Sequence, residues 1–163
     1  MPNSTRLSYY DYSQQGAYFV TICCHNRLRL LGKVKDDHVC LSTVGAIASD
    51  CWAQIGEHFP CVIVDEFVIM PNHVHGVLLI DQQERGEQTG ATERQTSSLS
   101  IAVRSYKSAV TRAARLALLP AQAMVWQAGF YEHVIRDQRD LDRVRMYIRN
   151  NPLQWHMDEL NGV

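Results

Sequence analysis

The sequence predicts an α+β fold: a ferredoxin-like antiparallel sheet with helices on one face, followed by a C-terminal helix. Segments rich in β-branched and aromatic residues read as strands, and segments with apolar residues at a spacing of about 3.6 read as helices. Their order is two strands, a helix, two strands, a helix, a strand and a helix, which fits one sheet covered by helices. At 163 residues the chain is expected to form a single domain, residues 1–163.

The first half supplies four predicted strands and one helix. Residues 17–24 and 29–34 form two strands, with a turn at Asn26 between them. Residues 42–58 have helical spacing, and Ser42 or Thr43 would cap that helix. Residues 61–70 and 73–81 are separated only by Pro71-Asn72, so we expect them to form a β-hairpin.

The second half supplies two long helices and a short strand. Residues 82–96 are polar without apolar periodicity, which predicts an exposed loop. Residues 100–118 form a helix that Pro120 ends, and 131–135 form a short strand. Residues 139–150 form the last helix, capped by Asp137 or Asp140 and stopped by Pro152.

Composition is that of an ordinary globular protein, with 46% hydrophobic and 20% charged residues. No apolar run has the length of a membrane span, and no signal-peptide pattern opens the chain. Five cysteines, an odd number, argue against a disulfide framework, so we expect reduced thiols and a cytoplasmic location. The net charge of −1 hides a concentration of basic residues on the helices of the C-terminal half.

Two histidines mark a possible metal site at the start of the strand 73–81. Residues i and i+2 of a strand point to the same face, so His73 and His75 project together while Val74 faces the core. Two convergent imidazoles make half of a divalent metal site. The alternative is a pair of histidines on an exposed strand face.

A tyrosine and an asparagine share one face of the last helix. Tyr147 and Asn151 lie four residues apart. A tyrosine hydroxyl can act as a nucleophile, and an amide oxygen can join two imidazoles around Mg²⁺ or Mn²⁺. The alternative is a packed ring at Tyr147 and a helix cap at Asn151.

Three motifs together resemble one family. They are Met70-Pro-Asn-His-Val-His-Gly76, Trp126-Gln-Ala-Gly-Phe-Tyr-Glu-His-Val-Ile-Arg136 and Tyr147-Ile-Arg-Asn-Asn-Pro152. Over nearly the whole chain, the sequence resembles the single-tyrosine HUH transposases, and most of all their REP-associated branch. The resemblance implies cleavage and strand transfer of single-stranded or hairpin DNA, dependent on Mg²⁺ or Mn²⁺, through a transient 5′-phosphotyrosine.

The resemblance also assigns roles to individual residues. It makes His73 and His75 metal ligands, Tyr147 the nucleophile and Asn151 the third ligand, where related insertion-sequence enzymes usually carry glutamine. Cations on the C-terminal helices are expected to contact DNA phosphates: Arg104, Lys107, Arg112, Arg136, Arg143 and Arg149. A homodimer, in which Tyr147 serves the partner's histidines, is compatible with the resemblance.

Several alternatives stay open from the sequence. Tyr131 is a rival nucleophile, and His133 could contact DNA or support the fold. The protein could also be a domesticated module that binds single-stranded nucleic acid with little or no catalysis. Only the transferase requires Tyr147, both histidines and a metal together.

Overall fold

The computed structural model describes residues 16–80 and 98–161. It contains six strands and four α-helices, with a 3₁₀ turn after β1 and a 3₁₀ helix after α4. The strands are β1 (Gly16–Cys23), β2 (Gly32–Lys35), β3 (His38–Leu41), β4 (Val62–Ile69), β5 (His73–Ile80) and β6 (Tyr131–Ile135). The helices are α1 (Thr43–Ala53), α2 (Ile55–His58), α3 (Ser98–Ala117) and α4 (Gln138–Asn150), and the 3₁₀ helix spans Pro152–Met157.

Four strands form one fully antiparallel sheet in the order β4-β5-β1-β6. Strand β5 lies between β4 and β1, and the crossovers run through α1 and α3. This is the β-α-β-β-α-β order of the ferredoxin-like plan, so the predicted fold class is confirmed. The predicted hairpin is also confirmed, because Met70 N donates to His73 O across the two-residue turn.

The structure corrects two predicted elements. The second strand does not join the main sheet: β2 pairs with β3, a strand that the sequence reading missed. The predicted helix 42–58 is two helices, because the chain breaks its helical run at Gln54. Ser42 caps α1 as expected, since its side chain accepts from Gly45 N. The predicted exposed loop 82–96 lies outside the described residues.

The sheet divides the molecule into two unlike sides. Alternate residues of β1 and β5, such as Val20, Ile22, Val74 and Leu78, pack under α1 and α3 in the main core. At Gly76 a Cβ would lie 2.2 Å from the Trp52 ring, so only glycine lets that indole approach β5 so closely. The residues between them face the other side, where α4 covers the sheet.

All five cysteines are free thiols, as the odd count predicted. Within residues 16–80 and 98–161, no helix is both long enough and apolar enough to cross a membrane.

Candidate metal and nucleophile site

The two histidines lie at the start of β5, on the sheet face that α4 covers. Val74 between them is fully buried in the main core, as the strand alternation predicted. Both imidazoles are themselves buried, with His73 at 0% and His75 at 3% exposure, so the exposed-face alternative is wrong. Their ring centroids are 4.4 Å apart.

Hydrogen bonds fix the orientation of His73. Asn72 donates from Nδ2 to the carbonyl of Leu160 at 2.6 Å and to that of Arg27 at 3.3 Å. Its Oδ1 therefore faces His73 and accepts from Nδ1 at 2.8 Å. With the proton on Nδ1, the lone pair of His73 is on Nε2.

A residue on the neighbouring strand fixes the orientation of His75. Thr21 of β1 is its direct cross-strand partner. The Thr21 hydroxyl oxygen lies 2.7 Å from Nδ1 of His75 and can accept its proton, which leaves Nε2 as the acceptor. Phe19, two residues before Thr21, stacks on the His75 ring with centroids 5.2 Å apart. Each imidazole is thus held by a neighbour at its Nδ1, the arrangement that orients metal-ligating histidines.

Helix α4 brings Tyr147 to this pair. Asp137 caps the helix by accepting from Asp140 N at 2.8 Å. Val144 and Ile148 pack into the second apolar cluster on β5. On the same helix, the Tyr147 hydroxyl lies 3.5 Å from Nε2 of His75, and the residue is 41% exposed. The oxygen is therefore near the imidazoles, while part of the residue is open to solvent.

Two ion pairs tie α4 to the neighbouring strand β4. Arg145 bonds Asp65 with distances of 3.0 and 2.5 Å, and Arg149 bonds Glu66. The two acidic residues are consecutive in sequence, and they lie where the β4–β5 register shifts between Val64 and Phe67. The bulge presents both carboxylates to the helix.

The C-terminal segment, residues 151–161, adds two oxygen donors. Asn151 is 2% exposed, and the Asp158 carboxylate lies 3.6 Å from Nε2 of His73. Asn72 holds the segment at Leu160, and Arg29 donates to Oδ1 of Asn161 at 2.8 Å while its guanidinium lies over Trp155. Sequence reasoning missed Asp158, because no local spacing connects it to the histidines.

Three buried polar atoms at this point have no hydrogen-bond partner among the described residues: Nε2 of His73, Oδ1 of Asn151 and Oδ2 of Asp158. Unpaired buried polar atoms are costly and rare in native proteins, and an ion would satisfy all three at once. Donor atoms of His73, His75 and Asp158 lie within 4.8 Å of one another. These three residues form a group that could bind a metal ion.

Burial keeps the two imidazoles and the phenol of the site neutral. It lowers the pKa of His73 to about 4, against the opposing effects of the Asp158 carboxylate and the Asn151 amide. It lowers the pKa of His75 well below the usual value, and the charge of His73 adds to this. Burial and then Asp158 raise the pKa of Tyr147, while Asn151 lowers it. At neutral pH both imidazoles therefore have lone pairs to offer, and the phenol keeps its proton.

Tyr131 and His133 lie on edge strand β6. His133 Nε2 lies 2.9 Å from the Asp140 carboxylate, which also accepts from Arg143 at 2.6 Å. His133 therefore links β6 to the first turn of α4.

The six cations expected to contact DNA are dispersed over both faces of the sheet. Arg104 and Arg112 are exposed on α3, and Arg136 is exposed just before α4. Lys107 donates to the carbonyls of Gln127 at 2.7 Å and Gly129 at 2.9 Å. On α4, Arg143 and Arg149 pair with Asp140 and Glu66. Their DNA contacts stay predictions.

Known proteins share this sequence and this fold. The chain matches no protein-family model. It is 40% identical to an uncharacterized protein of Haemophilus influenzae over 166 residues, covering 96% of the chain and 91% of that protein. The solved structure of a REP-associated tyrosine transposase bound to a REP hairpin superposes with a TM-score of 0.62 at 21% identity, covering 91% of this chain and 74% of the other.

A second solved structure, a candidate transposase from Deinococcus radiodurans R1, superposes with a TM-score of 0.51 at 16% identity, covering 89% of this chain and 95% of the other. These likenesses extend over most of each chain, so they concern the whole fold rather than one motif. The chain therefore belongs to the same family as the Haemophilus influenzae protein, and its fold is that of the REP-associated tyrosine transposase.

Proposed function

We propose that this protein is a metal-dependent, single-tyrosine transposase that cleaves and rejoins single-stranded DNA. The observation that carries the proposal is that donor atoms of His73, His75 and Asp158 lie within 4.8 Å of one another, with the Tyr147 hydroxyl 3.5 Å from Nε2 of His75. The buried Asn151 amide neighbours both His73 and Tyr147. A nucleophile next to a cluster of metal donors is the arrangement that phosphodiester cleavage needs. The transposase fold supports the same assignment.

The metal would be held by two imidazole nitrogens, a carboxylate and an amide oxygen. Nε2 of His73 and His75 would supply the nitrogens, and Asp158 and Asn151 the oxygens. Mixed imidazole and oxygen donors suit Mn²⁺, and the oxygens also suit Mg²⁺. When bound, such an ion neutralises charge on a phosphate and keeps positions open for its oxygens. The carboxylate of Asp158 makes the set richer than the histidine–histidine–asparagine set expected from sequence.

Tyr147 would perform the covalent step. Its hydroxyl oxygen forms a bond to the phosphorus, and the bond from phosphorus to the 3′ oxygen breaks. The proton that leaves the phenol is balanced by the proton that the departing 3′ oxygen takes up, so a 5′-phosphotyrosine and a 3′-hydroxyl result. Reversal by another 3′-hydroxyl rejoins DNA without an external energy source.

The proposed substrate is single-stranded or hairpin DNA. The structurally similar REP-associated transposase was solved with a REP hairpin. In this chain Arg104, Arg112 and Arg136 are exposed cations that could contact phosphates.

The test is covalent capture. The protein is incubated with end-labelled hairpin DNA taken from palindromes beside its gene, with Mn²⁺, and run on a denaturing gel. We expect a protein–DNA adduct that EDTA abolishes and that His73→Ala and His75→Ala each lack. Lys33→Ala, on the exposed β2–β3 hairpin, is the matched control. Metal-dependent cleavage without any adduct would assign the attack to water, and binding without cleavage would favour the domesticated binding module.

A further inference from the structure

A groove of about 1050 Å³ lies between α3 and the segment 121–130. Helix α3 packs on the main-core face of the sheet, whereas His73, His75 and Tyr147 lie on the other face. None of the residues that line the groove belongs to the candidate metal and nucleophile site. The groove is therefore a second concave surface with its own chemistry.

The charged residues that line the groove are all cations. Arg104, Lys107, Arg112 and Arg115 line it, and no aspartate or glutamate does. Lys107 and Arg115 attach α3 to the segment 121–130 by donating to its backbone carbonyls. Arg104 and Arg112 are exposed and make no ion pair with another residue in the described part of the chain. The groove thus has two cations available for an anionic ligand.

Large apolar side chains lie among these cations. Leu116 is 84% exposed and Met124 is 60% exposed, and both line the groove together with the aromatic residues Trp126 and Phe130. A small anion would contact only the cations and would leave the apolar side chains unused. A ligand that carries both regularly spaced negative charge and flat apolar groups would use the whole surface.

The segment that lines the groove is also bonded to the end of β1 that pairs with the histidine strand. Lys107 donates to Gln127 O, and Gln127 N donates to Cys23 O at 2.9 Å. Cys23 is the direct β-sheet partner of His73. The groove wall and the histidines are therefore joined through neighbouring backbone segments, which places the groove near the proposed cleavage position.

We propose that the groove binds a single-stranded DNA segment that flanks the cleavage position, with phosphates at Arg104 and Arg112 and bases against Leu116 and Met124. The assignment of the polymer as DNA rests on the proposed function. A single strand exposes its base faces, whereas a duplex hides them in its stack. Charge and apolar surface together therefore favour a single strand over duplex DNA.

The experiment measures binding of fluorescein-labelled oligothymidylate of about 20 nucleotides, long enough to fill such a groove. Anisotropy is recorded in EDTA, so that no metal-dependent cleavage can occur. The double variant Arg104→Ala/Arg112→Ala should weaken binding about tenfold or more and reduce the slope of log K against log salt by about 1.4, for two lost phosphate contacts. Lys33→Ala/Lys35→Ala removes the same charge from the exposed β2 strand and should leave both quantities unchanged.

A second variant tests the apolar wall. Met124→Asp places a negative charge on a side chain that is 60% exposed, so folding should persist while oligothymidylate binding falls. Wild-type affinity in both groove variants would overturn the proposal, and so would equally strong competition by duplex DNA of the same length or by polyglutamate. Failure of the proposed function would appear separately, as the absence of a covalent adduct with Mn²⁺.

Discussion

The hydroxyl oxygen of Tyr147 lies 3.5 Å from Nε2 of His75, which joins the last helix of the protein to a central strand of its sheet. Phe19 contacts both rings, stacking on His75 and meeting Tyr147 edge to face with centroids 5.9 Å apart. Side chains from β1, β5 and α4 therefore meet at one point. The contact places the phenol oxygen next to an imidazole nitrogen of the candidate metal site.

Tyr147→Phe should abolish covalent capture. The change removes only the hydroxyl, and the ring keeps its contacts with Phe19 and His75. Stability should change little, while cleavage should fall by about 10³-fold or more, as expected for loss of a nucleophile. Gel quantification of the adduct measures the effect.

Tyr131→Phe is the matched control and should retain most activity. Mass spectrometry of the trapped adduct should place the nucleotide on the peptide that contains Tyr147. A nucleotide on Tyr131 would identify that residue, on edge strand β6, as the nucleophile and would leave the rest of the proposed mechanism unchanged.

Asp158→Asn should weaken metal binding. The substitution keeps the size of the side chain and removes the charge that lies 3.6 Å from Nε2 of His73. We expect the affinity for Mn²⁺ to fall about tenfold or more, measured by calorimetry on protein without DNA. Glu159→Gln removes a charge from the next, exposed residue and should leave the affinity unchanged. Unchanged affinity in Asp158→Asn would show that the carboxylate is not a ligand.

Thr21→Val should disturb His75 without touching a metal donor. Valine has the same shape but cannot accept the Nδ1 proton, so the imidazole loses the bond that orients it. Loss of such an orienting partner typically costs about 10- to 100-fold in metal affinity or activity. Thr111→Val on α3, whose hydroxyl donates to Lys107 O, is the control. Equal affinities for Mn²⁺ in the two variants would show that Thr21 does not orient His75 for metal binding.

Because of Asp140, we expect the free energy of unfolding to decrease at acidic pH. Its hydrogen bonds, first to Arg143 and then to His133, lower its pKa from 3.8 to about 2. Because the pKa is lower in the folded state, the stabilisation is present above pH 3.8 and is lost as the pH falls toward 2. The side chains of Arg143 and His133 are 77% and 55% exposed, so we expect a loss on the order of 1 kcal/mol.

Urea unfolding at about pH 5 and about pH 2.5 measures this dependence. Asp140→Asn should flatten it, whereas Asp142→Asn on the same helix should not. An equally steep loss in Asp140→Asn would assign the acid sensitivity to other carboxylates.

Elements that are determined by the neighbouring sequence could be predicted, whereas those that depend on tertiary contacts could not. The hairpin that carries the histidines has a two-residue turn between long apolar runs, so its register and the common face of His73 and His75 followed from alternation. The β2–β3 hairpin was missed although it also has a two-residue turn. That turn is Asp36-Asp37, both at positive φ, a conformation that aspartate tolerates less readily than glycine or asparagine.

Asp158 could not be found from spacing at all. It reaches His73 only because the chain continues as a 3₁₀ helix after Pro152 and is then held by Asn72 through Leu160 O. The α-helix ends at Asn150, before Pro152 as predicted, and the chain then continues as a 3₁₀ helix. Tyr147 and Asn151, by contrast, are four residues apart on one helix, and their proximity needs no tertiary contact.

The ion pairs of Arg145 with Asp65 and Arg149 with Glu66 bear on the number of protein molecules that the proposed cleavage would require. They fasten the helix of Tyr147 to the strand beside its own histidines, so a single polypeptide holds every member of the site. The turnover per molecule should then stay constant on dilution. A mixture of His73→Ala and Tyr147→Phe proteins should remain inactive, because the intact tyrosine of one variant cannot act with the intact histidines of the other.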